Sequence, residues 1–182
     1  MTMDRRAALS LLGLGVVSSR LQAAQQHLHA LKTDAKAYQL QFFSPQENAL
    51  VDRVAEMIIP ADEHSPGAHQ AKVSYYVDLI AANSSESVRD NWKSRLAAFN
   101  KMALSQHGKP FVDLAPADQS AMLAKLAPKE NNPSTPEEHF FVDMKKATLF
   151  GYYTSEIGLL RELGYQGNQA LTSFPGCAHT PP

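Results

Sequence analysis

The chain has 182 residues, a formal net charge of −1 and ordinary shares of apolar, aromatic and charged residues. This length suits one domain with a real hydrophobic core, and near-neutral charge argues against a nucleic-acid partner. The single cysteine excludes an internal disulfide, a Cys-x-x-Cys-His haem site and a cysteine-ligated iron–sulfur cluster.

Residues 1–24 read as an export signal. Asp4-Arg5-Arg6 is a charged start, and the apolar run Ala7–Val17 is too short to span a bilayer as a mature helix. Arg5 and Arg6 point to the twin-arginine route, although Ala7-Ala8-Leu9 is a partial match after the pair. Gly13-x-Gly15-x-x-Ser18 follows no strand and opens no βαβ unit, so it carries no nucleotide. Residues 25–41 form a polar linker in which His27 and His29 have no other ligand nearby. Residues 42–182 form the helical domain, with a tail from about residue 164.

Ser44-Pro45-Gln46-Glu47 is a capping box, and Leu50, Val51, Val54, Met57 and Ile58 follow on one helical face until Pro60. The next loop carries Asp62, Glu63, His64 and His69. Two acids and two histidines this close suit either a metal or acid–base work, or an exposed loop that caps helix ends. Val73, Tyr76, Val77 and Ile80 mark a short helix. Val88, Trp92, Leu96, Phe99 and Met102 mark a longer one that ends at Gly108. Pro116 begins another, with Met122, Leu123 and Leu126 inward, and a proline-rich loop spans Pro128–Pro136. No stretch alternates apolar and polar residues, so the chain is expected to be all-α, with five or six helices and a long irregular C-terminal tail.

The last stretch holds the most information. Thr135 can cap a helix with Pro136 at its first position and Glu138 three residues on. Phe140, Met144, Ala147, Thr148 and Gly151 share a face. A Gly-Tyr-Tyr-Thr corner, a Gly-Tyr-x-Gly turn and a tail ending in Phe-Pro-Gly-Cys follow. Tyr152, Tyr153 and Tyr165 sit among glycines, which makes them either core packing or the contacts of a partner. Phe174 and Cys177 extend that surface. An unpaired cysteine in an exported protein suits a bond to another chain, or a thiol with no role.

KKATLFGYYTSEIGLLRELGYQGN, the later FPGC and the early FFSPQENALVDRVAEMIIPADEHSPGA resemble the gluconate 2-dehydrogenase subunit 3 family. The resemblance runs from about Phe42 to the C-terminus. It implies a non-catalytic small subunit of a flavin-dependent sugar or polyol dehydrogenase complex. The implied partner is a glucose-methanol-choline-type flavoprotein that holds FAD, with a cytochrome c subunit or another acceptor taking the electrons. It also implies help in the partner's maturation and in its export to the periplasm, free or beside the membrane. The sequence carries no Gly-x-Gly-x-x-Gly after a strand, no Glu-x-x-His, no Gly-x-Ser-x-Gly and no P-loop. Two other readings are a free-standing helical binding protein of the envelope and a metal-dependent enzyme using the Asp62–His69 loop.

Overall fold

A computed structural model describes residues 38–167, which lie almost wholly in the compact unit that begins at Leu40. Its described residues are all-α. Helix α1 is Pro45–Ile58, α2 is Val73–Ala82, α3 is Glu86–His107, α4 is Pro116–Leu126 and α5 is Pro136–Tyr153. Short 3₁₀ turns at Phe111–Asp113 and Ala127–Lys129 join them, and a π turn at Gly158–Glu162 follows α5.

Local chemistry sets the helix ends. Ser44 and Thr135 accept the backbone N–H of Glu47 and Glu138, and both glutamates reach back to the cap residue's own N–H. Each box satisfies two donors that the first helical turn leaves over. Gly108 closes α3 at φ 70°, a left-handed conformation that glycine adopts without strain.

Helix α5 is the hub and packs against α1, α2, α3 and α4. Phe140 and Met144 on its inner face are fully buried. Phe140 lies 4.8 Å from Phe99 of α3, and Phe99 lies 4.9 Å from Phe111 of the first 3₁₀ turn. Trp92 sets its ring edge-on to Phe43 and Phe140 at 6.2 and 6.5 Å. From α1, Leu50, Val51 and Val54 enter this core, while Met57 and Ile58 pack half-buried against it. Met122, Leu123 and Leu126 close it from α4.

Two expected inward residues face out. In α2 the buried positions are Val73, Ser74, Val77, Asp78 and Ala81, a face centred about 90° from Ile80, which is 48 % exposed. Val88 lies in the first turn of α3, ahead of the stretch that meets the core, and is likewise exposed.

The chain enters through an unusual contact. The side chain of Asp78 in α2 is fully buried, and its carboxylate accepts the backbone N–H groups of Gln41, Phe42 and Phe43 at 2.8, 3.0 and 2.7 Å. Lys93 donates to the Phe42 carbonyl and to Glu47, and its ammonium lies 4.7 Å from the centre of the Phe42 ring. The expected start of the domain at Phe42 therefore falls inside an anchored segment.

Candidate partner surface

Two sequence stretches meet at one end of the domain: the loop after α1 and the end of α5. Helix α5 runs on through Gly151, Tyr152 and Tyr153, so the Gly-Tyr-Tyr segment is a last helical turn and not a corner. Gly151 serves close packing. A Cβ there would meet the Tyr76 ring of α2 at 2.7 Å.

Tyr152, expected at the partner surface, is a core residue only 1 % exposed. Its hydroxyl shares a 2.5 Å hydrogen bond with the Ser65 hydroxyl and donates to the Pro66 carbonyl at 2.7 Å. Tyr152 thus pins the loop after α1 to the end of α5. The reason is helical phase: Tyr152 stands four residues after Thr148, which is also buried, and so continues the inner face.

The loop is held from its other side as well. The Glu56 carboxylate accepts from Ala61 N–H and His69 N–H at 3.0 and 2.8 Å. Gly67 is needed beside it, because a Cβ would come within 2.5 Å of both Glu56 oxygens. Asp62 accepts from the backbone of His64 and Ser65, each at 2.8 Å. The Ser65 N–H first, then that of His64, hold its carboxyl below the ordinary aspartate range.

This geometry also decides how the loop's acids and histidines are used. Asp62 caps its own loop, and Glu63 and His64 face solvent as a loose pair at 3.5 Å. His69 turns to Asp52 of α1 at 2.5 Å, and Ser74 donates to the same carboxylate. The four side chains do not converge. No group of three or more His, Cys, Asp or Glu among the described residues is placed to hold a metal. The capping reading of this loop is the one that its hydrogen bonds support.

After α5 the chain turns back on itself. Ser155 accepts from Gly158 N–H and donates to the Tyr152 carbonyl. Gly158 rests so closely on that carbonyl that any Cβ would overlap it. The following π turn occupies Gly158–Glu162, and such turns recur at functional sites.

Between Leu149 and Tyr165 several large apolar side chains stand exposed. Leu149, Phe150, Tyr153, Leu160, Leu163 and Tyr165 are all exposed, and Phe150 is the most open at 61 %. Phe150 is nonetheless held in place, with its ring stacked on Tyr76 at 6.0 Å and 26°. Tyr153 sets its ring edge-on to Tyr152 at 5.3 Å. Tyr153 and Tyr165 therefore lie on the surface, whereas Leu149, Phe150, Leu160 and Leu163 are exposed residues that sequence reasoning missed. Helical phase alone places Phe150 at the edge of the α5 stripe, about 100° from the centre of Phe140, Met144, Ala147, Thr148 and Gly151, so the sequence carries only a weak sign of its exposure. The expected site residues Arg5, Arg6, Phe174 and Cys177 lie outside the described residues.

Among the described residues no helix is long and apolar enough to cross a membrane. A family profile described as Gluconate 2-dehydrogenase subunit 3 matches residues 45–172, more than half of the chain. The match takes in the loop after α1, α5 and the π turn, and stops short of Phe174 and Cys177. Searches of curated proteins and of solved structures return no match.

Proposed function

Because the chain belongs to the gluconate 2-dehydrogenase subunit 3 family, we propose that it is the non-catalytic small subunit of a flavin-dependent sugar or polyol dehydrogenase. In this reading it binds the flavoprotein subunit, helps it mature and escorts it through the twin-arginine route to the periplasm. FAD belongs to that partner. Electrons pass from the flavin to a cytochrome c subunit or another acceptor, not through this chain.

The observation that carries the reading is the density of exposed large apolar side chains between Leu149 and Tyr165, where Leu149, Phe150, Tyr153, Leu160, Leu163 and Tyr165 fall within one short stretch, against Leu79, Ile80, Val88, Leu104 and Val112 spread over the rest of the described residues. Exposed large apolar side chains in such number suit contact with another macromolecule. A chain that serves as one subunit of a complex must have such a contact. The escort role draws on Arg5 and Arg6, which give this chain an export signal that a tightly bound partner could share.

Co-expression with a candidate flavoprotein tests the reading. The affinity-tagged chain should retain a protein with a flavin absorbance spectrum, while the chain expressed alone should be colourless. Changing Arg5 and Arg6 to Lys should leave both chains in the cytoplasm. An active flavoprotein in the periplasm of that strain would end the escort role, and stoichiometric flavin on the lone chain would end the non-catalytic one.

A further inference from the structure

We propose that the cleft between the first half of α3 and the second half of α5 binds a small organic acid, with one carboxylate on a short apolar body. The site stands whether or not the chain serves as a small subunit.

Two helix faces build it. Val88, Asn91, Trp92 and Arg95 fall at helical spacing on α3, and Asp143, Lys146 and Ala147 do so on α5. Together they bound a cleft of about 300 Å³, the lower end of the range for small-molecule sites. Val88, which the core does not take in, is one wall of this cleft. Trp92 is another, and its ring is held in place by its edge-on contacts with Phe43 and Phe140. With Ala147 these two side chains supply the apolar lining.

The polar lining is rich in donors. Arg95 and Asp143 pair across the α3–α5 seam. That pair engages the one carboxylate of the cleft and leaves further guanidinium N–H groups over. The indole N–H of Trp92 and the ammonium of Lys146 have no acceptor among the described residues. Lys146 also borders a groove that holds Glu130, but that carboxylate is engaged by Lys145. Two cations thus face one anion in the cleft, and one positive charge is left over. Unmet donors and a surplus positive charge beside an apolar wall call for a group that only accepts, carries one negative charge and sits on apolar carbon. An ionised carboxylic acid has all three properties. An alcohol of the same shape lacks the charge, and an amine adds a like charge to Lys146.

Trp92 is the only tryptophan of the chain, so its fluorescence reads the cleft directly. The full chain is titrated with hexanoate, and with hexanol and hexylammonium as neutral and cationic counterparts of the same length. Hexanoate should give a saturable change. Lys146→Met should weaken its Kd about 10-fold, the effect of losing a hydrogen bond to a charged group, and Lys146→Arg should restore it. Val88→Glu, which sets a carboxylate in the cleft wall, should abolish the response. Both positions are exposed, so unchanged helical circular dichroism should accompany every variant. No saturable response to hexanoate, or one that Lys146→Met and Val88→Glu both leave unaltered, would overturn the site. Hexanol or hexylammonium bound as tightly as hexanoate would overturn the assignment of an acid.

Discussion

Replacing Tyr152 by Phe removes one oxygen atom and leaves the ring where it is. That oxygen bonds the Ser65 hydroxyl at 2.5 Å and the Pro66 carbonyl at 2.7 Å, in a site where Tyr152 and Ser65 are both buried. A typical hydrogen bond contributes a net ~1 kcal/mol, and a buried partner left unsatisfied adds its own desolvation, so the expected loss is about 2–3 kcal/mol. Ser65 retains only a long 3.5 Å contact to the Pro66 carbonyl, which does little to offset it. With a urea m-value of about 2 kcal/mol per M, the unfolding midpoint should fall by roughly 1 M with the slope unchanged. Hydrogen exchange should quicken at Ser65 and His69, because the loop after α1 loses its tie to α5. Capture of the flavoprotein should persist well below the melting temperature. A midpoint shift under ~0.2 M, or lost capture without lost stability, would refute the reasoning and place this ring against the partner.

Four further outcomes follow from the same contacts. Gly158→Ala should destabilise by about 2 kcal/mol in urea unfolding, because the new methyl overlaps the Tyr152 carbonyl and the π turn must shift. Thr148→Val should stabilise by about 1 kcal/mol, because it removes a fully buried hydroxyl that has no hydrogen-bond partner. Burial tends to raise the Glu47 carboxyl, but the hydrogen bonds from Lys93 and Ser44 outweigh this and hold it below the ordinary glutamate range. A depressed carboxyl stabilises above its unfolded pKa and loses that contribution as pH falls through the folded value, so unfolding midpoints measured from neutral to acid should drop less steeply in Glu47→Gln. Cys177, which lies beyond the described residues, is expected to bond the partner: a non-reducing gel of the native complex should show a band at the summed mass that is absent in Cys177→Ser, and two separate bands would end that expectation.

The parts of this fold that were legible in the sequence are those set by neighbours a few residues apart. Both capping boxes are four-residue patterns, and both form where Ser44 and Thr135 stand. Gly108 ends α3 for an equally local reason. Tyr152 could have been placed as well, since one more step of four from Thr148 lands on it. Reading Gly151 as the start of a turn hides this, because the chain gives no local sign that the glycine is there to admit the Tyr76 ring. The buried Phe111 sits in a single 3₁₀ turn, too short to show any period. Lys72 at φ 58° and the clamp of Asp78 on Gln41–Phe43 depend on tertiary packing, and no neighbouring residue announces them. The loop acids and histidines show the converse limit. Their spacing permits a shared site, and only the structure reveals that Asp62 and His69 are engaged elsewhere while Glu63 and His64 face solvent.

The Asp78 clamp sets where this protein can be cut for expression. A chain shortened to begin at Leu40 keeps all three N–H groups that the buried carboxylate accepts. One shortened to begin at Ser44, which the start of α1 invites, deletes all three at once and strips donors from a charge sealed away from water. A hydrogen bond to a charged group contributes about 1.5–3 kcal/mol, so losing three together is a large share of a domain's whole stability. The shorter version should therefore express as insoluble or readily proteolysed material, although every helix in it is intact on paper.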